Sequence, residues 1–372
     1  MIFSDLENEL TAFVQSRSPA YLRQMLSAGC YVYGAGGYGR RILALLRAQG
    51  IHCHGVVDRK FTGNGEMFEG LPAFAPEALQ PAQAEGKCLV VGVHSHLAKL
   101  EAILAYGRSL PFADVLWNAD LSDALGAEAD NYWLTARHFV IEHLRDFAET
   151  ASHLADDTSV RTLAGLVRYR ITGEPDHHPD YNLSEQYFPP GVLRLPKQIS
   201  FVDGGAFDGD TFRYLRSKGV EIGDWAGFEP DPRNFEKLVA FAKDIPSRTA
   251  LFPCGLSDSF AQIRFAADGG TSAHAEASGN ITIPCVALDD VLPRLRPDYI
   301  KLDIEGGEAM ALRGMAKAIG RTKPHLAVSA YHRPDDLWTL PRLLRELAPY
   351  ARLYLRQHEA NAFDTVLYGV PA

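Results

Sequence analysis

The chain has 372 residues, 47% of them hydrophobic and 22% charged, which is enough for two domains with sizeable cores and unlike a disordered polymer. Its 37 basic and 46 acidic residues leave a net charge of −9, and this argues against nucleic acid as the main partner, because phosphate contacts draw on a basic surplus. The opening Met1-Ile2-Phe3-Ser4-Asp5-Leu6-Glu7 lacks the basic and apolar stretches of a signal peptide, and no uncharged apolar run reaches the ~20 residues of a bilayer span. Cys30, Cys53, Cys88, Cys254 and Cys285 are scattered and odd in number, so the expectation is a cytoplasmic protein with reduced thiols and no membrane span.

The charge is uneven. Residues 1–120 hold 10 basic and 11 acidic residues, 121–199 hold 7 and 12, and 200–372 hold 20 and 23. The middle stretch thus carries most of the net charge and has the least strand-like pattern. The expected organisation is an α/β domain over 1–120, a helical connector over 121–198 and a second α/β domain over 199–372.

The chain opens with an expected helix over 3–28, closed near Gly29, and a strand Cys30-Tyr31-Val32-Tyr33. Gly34-Ala35-Gly36-Gly37-Tyr38-Gly39 and an apolar-periodic helix, Arg40 to Gln49, come next. Further strands end at Asp58 and Gly92. Gly34, Gly36 and Gly39 between strand and helix, with Asp58 19 residues past the last, fit a dinucleotide fold, in which the acid meets a ribose. His94 and Ser95, just past the strand ending at Val91, are placed to touch a phosphate. The paired histidines His52/His54, His94/His96 and His177/His178 lack the partners of a zinc pattern.

From Ile199 strands and helices alternate: Ile199–Asp203, Asp210–Ser217, Trp225–Glu229, Asn234–Lys243 and Ala250–Cys254. A hairpin-like insertion follows, Gln262–Phe265 and Ile281–Val286, and then Tyr299–Asp303, Glu308–Met315, His325–Ser329 and Asp336–Leu347. The last two strands, Arg352–Arg356 and Thr365–Tyr368, are joined too closely for a helical crossover and should be antiparallel. Four segments stand at carboxyl ends of these strands, where open α/β sheets bind ligands. The first, Asp203-Gly204-Gly205-Ala206-Phe207-Asp208-Gly209-Asp210-Thr211, is rich in glycine and acid and has no lysine of a phosphate-binding loop. The second is Phe228-Glu229-Pro230-Asp231, with Glu229 placed for ribose hydroxyls. The third is Gly255-Leu256-Ser257-Asp258, placed for an adenine edge. The fourth is Lys301-Leu302-Asp303-Ile304-Glu305-Gly306-Gly307-Glu308.

Taken with Leu288-Asp289-Asp290, Ala330-Tyr331-His332, Leu355-Arg356-Gln357-His358 and Thr365-Val366-Leu367-Tyr368, these segments closely resemble the FkbM family of S-adenosylmethionine-dependent methyltransferases over roughly 199–372. The resemblance implies a class I methyltransferase sheet, five parallel strands plus an antiparallel hairpin, and O-methylation of a sugar or related metabolite. It also implies a cofactor held by Asp203, Gly204, Gly205, Ala206, Phe207, Asp208, Gly209, Thr211, Glu229, Pro230, Ser257, Asp258 and Asp303. Phe207 departs from the second glycine common at its position. His332 is the first choice as general base, with Asp303 and Glu305 as alternatives and His358 behind them. A metal held by Asp303 and Glu305 lacks a third oxygen ligand. Residues 30–95, including Gly55-Val56-Val57-Asp58 and Gly70-Leu71-Pro72, resemble the Rossmann-like nucleotide-binding domains of sugar acyltransferases and polysaccharide-biosynthesis dehydratases. That likeness implies NAD or another nucleotide at the first domain. The expected partner is a small-molecule or glycan acceptor, and a homo-oligomer is compatible with it. Two rivals stand against a methyltransferase. One is an NAD-dependent nucleotide-sugar oxidoreductase, for which no hydride-transfer motif follows the fingerprint. The other is a regulatory or scaffold protein that binds nucleosides without turnover.

Overall fold

The computed structural model describes residues 2–63, 65–266, 274–275 and 281–372, and its first departure from the sequence expectation comes at Pro19. The single helix expected over 3–28 is two helices, Ile2–Ser16 and Pro19–Ser27. Proline has no N–H to give a helix interior and fits only in a first turn. Ser18 caps that turn by accepting from the Tyr21 N–H at 3.3 Å.

The chain divides into two units. One comprises Met1–Ala148, Leu163–Asp180 and Glu359–Phe363, and the other Glu149–Thr162, Tyr181–His358 and Asp364–Ala372. The stretch 121–198 therefore does not stand apart as a connector. Its helices Arg137–Glu142 and most of Asp157–Thr172 belong to the first unit, and its last residues, 181–198, belong to the second.

The first unit holds β1 (Cys30–Tyr33), β2 (Cys53–Val57), β3 (Glu66–Phe68), β4 (Leu71–Phe74), β5 (Cys88–Val91) and β6 (Asp114–Leu116), ordered β3-β4-β2-β1-β5-β6. β1 pairs in parallel with β2 and β5. Every residue of β1 and β5 is buried, as expected of continuous apolar runs covered on both faces. Leu43, Leu46, Val56, Val90 and Leu121 share that core. The helix after the glycine loop starts at Gly37, earlier than its apolar periodicity suggests. β3, β4, β6 and the helix Leu100–Ser109 have no counterpart in the sequence reading, and strands of three or four residues carry too little alternation to announce themselves.

The second unit begins with β7 (Gln198–Gly204), β8 (Glu221–Phe228) and β9 (Arg248–Phe252). β10 (Gly255–Leu256), β11 (Ala261–Ala266), β12 (His274–Ala275) and β13 (Ile281–Val286) follow, and then β14 (Tyr299–Leu302), β15 (His325–Ser329), β16 (Ala351–Gln357) and β17 (Thr365–Pro371). The main sheet is ordered β16-β17-β15-β14-β7-β8-β9. β7, β8, β9, β14 and β15 are parallel, and β17 runs antiparallel to both β15 and β16, as the short last connection requires. β7 leads to β8 on one side and borders β14 on the other, so the switch in strand order lies between β7 and β14. β10–β13 form a separate four-stranded sheet. Among the described residues no helix is long and apolar enough to cross a membrane.

The first unit also buries charge. Arg137 is 0% exposed and is held by Asp120 at 2.9 Å, Asp123 at 2.8 Å and the Ile171 carbonyl at 2.7 Å. Removing one member of such a network leaves its partners charged and dry. Replacing Arg137 with methionine should destabilise the protein by about 3–5 kcal/mol, read as a lower urea midpoint in circular dichroism. An unchanged midpoint would show that the network contributes nothing.

Candidate functional site

In the second unit the loop after β7 is built around a buried lysine. Asp203 on β7 faces Lys301 on β14, both essentially without solvent contact, at 3.4 Å. Lys301 Nζ also donates to the carbonyls of Gly205 at 2.6 Å and Gly204 at 3.2 Å. Burial would strip the lysine of its proton, but Asp203, Asp303 and Asp210 outweigh it and hold the ammonium charged. Asp203 is thus the counter-charge beneath the loop, at 0% exposure, and not the surface-facing ligand its place in the motif suggests.

The loop itself is tightly fitted. Gly205 has φ +71°, and a Cβ there would lie 1.9 Å from the Asp303 carbonyl oxygen, so only glycine fits. Gly205 and Ala206 both donate to the Phe228 carbonyl at 3.0 Å. Phe207 adopts φ +47°, a conformation that favours the glycine it replaces, and its N–H donates to Glu229 Oε2 at 2.9 Å. Asp208 pairs with Arg213 at 2.5 Å, and Thr211 N donates to Asp210 Oδ1 at 2.7 Å where the helix Asp210–Ser217 begins after Gly209. Asp208 and Thr211 therefore shape the helix start.

Glu229 stands at the end of β8 and is 6% exposed. Its second oxygen accepts from Asp231 N at 2.8 Å, so one carboxylate ties the first loop to the turn at Pro230. Burial pushes its pKa up to about 7. Each oxygen keeps a lone pair. Ser257 and Asp258 follow β10 of the small sheet, not the end of the third strand of the main one as expected. Ser257 is buried with its N–H on the Val286 carbonyl at 2.9 Å, and Asp258 is exposed and accepts from Ser259 Oγ at 2.9 Å.

The end of β14 gathers the titratable groups. Asp303 Oδ2 accepts from the Tyr187 phenol at 2.8 Å. His332, following β15 and 6% exposed, donates Nδ1–H to Glu308 at 2.9 Å, and its Nε2 lies 3.5 Å from Asp303 and 3.7 Å from Glu305. Glu308 also accepts from Ile304 N at 2.9 Å. Burial opposes a charge on His332, but Glu308, Glu305 and Asp303 together raise its pKa well above the ordinary value. An imidazolium has no lone pair for a substrate proton, so the expectation of His332 as a neutral base gives way to a cation shared by three carboxylates. For Asp303 the balance runs the other way: burial pushes it up, but Lys301, His332, Ser329 and Tyr187 hold it below its usual range. His358 is 1% exposed and bonded to Asn182 O and Tyr368 Oη at 2.9 and 2.7 Å, which removes it from the reacting groups. Lys301 was signalled by its place inside an otherwise apolar buried strand. Tyr187 was not signalled, since it lies 116 residues from Asp303.

Glu229, Asp303, Glu305 and backbone carbonyls make the carboxyl edge of β7, β8 and β14 rich in acceptors. Such a set suits a ligand with ribose hydroxyls and a cationic centre, which is the chemistry of S-adenosylmethionine, and it leaves a carboxylate to take a proton.

The first unit has a glycine loop of different meaning. Gly34 has φ +121° and passes so close to Gly92 that a Cβ would lie 2.5 Å from its carbonyl oxygen. A Cβ on Gly39 would lie 2.1 Å from the Gly34 carbonyl oxygen, whereas one on Gly36 would meet nothing within 4 Å. Asp58 is turned inward, accepting from Ala35 N at 2.7 Å and Lys60 N at 2.9 Å. Past β5 a cavity of about 20 Å³ is bordered by His94, Ser95, Trp117, Asn118, Tyr169 and Asn361, among others. Asn131 Nδ2 donates to His94 Nδ1 at 2.6 Å, and burial pushes this imidazole down to about 3, so it is neutral with its hydrogen on Nε2. A neutral donor does not supply the charge expected of a phosphate contact.

Comparison with known proteins bears on the second unit and on the fold of the whole chain. Residues 203–361 match the family model described as "Methyltransferase FkbM domain". Hexuronic acid methyltransferase AglP of Haloferax volcanii is 31% identical over 127 residues, 32% of this chain and 52% of that protein, so the chain spans about half the length of this curated relative. The crystal structure of Methyltransferase FkbM from Methylobacillus flagellatus KT superposes with a TM-score of 0.80 at 24% identity, covering 99% of this chain and 98% of that one, which shows the shared fold. The match covers the loops that carry Asp203, Glu229, Asp303 and His332, and over residues 203–361 this chain is similar to the methyltransferases of the FkbM family.

Proposed function

We propose that the chain is an S-adenosylmethionine-dependent O-methyltransferase acting on a hydroxyl of a sugar, glycan precursor or related metabolite. The observation that carries this is the FkbM match falling on an acceptor-rich strand edge at Glu229, Asp303 and Glu305. The name of the Haloferax relative supports a sugar among possible acceptors. S-adenosylmethionine, when bound, supplies a methyl group on a sulfonium for in-line displacement by the acceptor oxygen.

The chain's own residues have separate tasks. Glu229 accepts ribose hydroxyls through its remaining lone pairs, and the loop Gly204–Gly209, stiffened by Lys301, fixes the cofactor's approach. Asp303 takes the acceptor's proton, with Glu305 beside it. His332 holds both carboxylates in place and offsets their mutual repulsion. For the first unit we favour a nucleotide, or the nucleotide part of the acceptor. The open side of Gly36 supports a close approach to the loop, and the His94 cavity suits an uncharged hydroxyl or carbonyl.

Ribose donors favour the ionised form of Glu229, which burial pushes up to about 7. Affinity for S-adenosylhomocysteine should therefore strengthen as pH rises through 7 and level off above it, with calorimetry at pH 6 giving about tenfold weaker binding than at pH 8. Glu229→Gln should flatten that dependence, and an equal pH response in this variant would remove Glu229 from the site. Asp303→Asn should lower turnover about 10²–10⁴-fold while leaving S-adenosylhomocysteine affinity within about threefold. Full turnover in that variant would sink Asp303 as the base. In the first unit, Gly36→Val should preserve the thermal melt and abolish binding of adenosine or uridine diphosphate there. Undiminished binding, or none in the parent protein, would count against a nucleotide site.

A further inference from the structure

Tyr187 lies outside the residues that match the family, in a segment with little secondary structure, yet it is bonded at its N–H, its carbonyl and its hydroxyl. Its carbonyl accepts from the Tyr299 hydroxyl of β14 at 2.5 Å, and its N–H donates to the Tyr368 hydroxyl of β17 at 3.0 Å. The Tyr368 hydroxyl in turn lies 2.7 Å from His358 Nε2, and His358 Nδ1 lies 2.9 Å from the Asn182 carbonyl. Burial pushes His358 down to about 4, so it is neutral, donates from Nδ1 and accepts the Tyr368 proton at Nε2. This chain of bonds fixes the segment at Asn182 and at Tyr187. Between these clamps Tyr187 takes φ +60°, a conformation costly for an aromatic residue, and its ring lies under Lys301 Nζ at 5.2 Å. The result is a phenol 2.8 Å from Asp303 Oδ2 and 3.4 Å from Ser329 Oγ.

We propose that Tyr187 is a positioning residue for methyl transfer, its O–H fixing the Asp303 carboxylate in the orientation that receives the acceptor's proton. This rests on the assignment of Asp303 as the base. The groups that face Asp303 are Lys301 on β14, Ser329 at the end of β15, Tyr331 and His332 after it, Glu305 on its own loop and Tyr187, with Asp364 acting on Tyr187. Tyr187 is a neutral donor, since burial and the charge of Asp303 keep its own proton on. A donor to a carboxylate favours the ionised form, so losing it raises the carboxyl's midpoint.

The test uses the full chain labelled with [4-¹³C]aspartate, with Asp303→Asn identifying the Asp303 resonance. Tyr187→Phe should move the Asp303 midpoint up by about one pH unit, a tenfold change in its acid constant, and should lower kcat with S-adenosylhomocysteine affinity unchanged. Tyr368→Phe, which loosens the Tyr187 N–H and keeps the phenol, should move it the same way by less, and it serves as the second variant if Tyr187→Phe does not fold. An Asp303 midpoint unmoved in the folded variants overturns the proposal, and so does a moved midpoint with unchanged kcat. Full turnover in Asp303→Asn would instead remove the base assignment, and the proposal with it, while the titration still reports the Tyr187 contact.

Discussion

The site in the second unit depends on one buried ion pair. Lys301 sits in a strand whose neighbours are all apolar, and taking its ammonium out of water would be prohibitive without Asp203 opposite and two carbonyls above it. Those carbonyls belong to Gly204 and Gly205, so satisfying the lysine also fixes the course of the loop. The loop then turns with Gly205 against the Asp303 carbonyl, where a side chain has no room. β7 and β14 are thereby locked together at the point where the strand order switches. Glu229 extends the lock to β8 by accepting from Phe207 and Asp231. A rigid edge of this kind can hold a cofactor and an acceptor in line, which is where most of the rate of a displacement reaction comes from.

Charge balance decides the roles of the groups beyond that edge. Asp303, Glu305 and Glu308 converge on one imidazole, and three acids cannot all be ionised in a dry site without a cation among them. His332 supplies it. The cost of the crowding appears next door, where burial and the charge of Glu308 raise Asp336 to about 7. Among these acids Asp303 is the one held ionised by Lys301, His332, Ser329 and Tyr187 against its burial.

The two glycine loops show how one motif can carry two meanings. In the first unit Gly34 and Gly39 are explained by packing against Gly92 and against each other, and Asp58 accepts one backbone N–H on each oxygen, from Ala35 and Lys60. Gly36 and Gly37 are free of such a reason. In the second unit the corresponding acid, Glu229, also accepts one backbone N–H on each oxygen, and it differs from the half-buried Asp58 in being buried. The cavity past β5 is lined by a neutral His94, which offers no positive charge to a phosphate.

Much of this was legible in the chain. The alternation of short apolar runs and amphipathic helices gives both α/β sheets and the closing antiparallel pair, because burial on two faces and the length of a connection are local properties. The loops at 203–209, 228–231 and 301–308 were likewise recognisable as a joint pattern. Ser18-Pro19, which breaks the first helix, was readable too, because proline fits only the first turn of a helix. What the chain could not show is which acid meets solvent and which meets a lysine, because Asp203 and Lys301 become neighbours only through the register of β7 and β14. Nor could it show that His332 is surrounded by carboxylates, or that Tyr187 reaches Asp303. The amino-acid order determined the longer strands, the turns at their ends and the family resemblance; ionisation and partnership were decided by the tertiary structure, because burial and charge act through space and not along the chain.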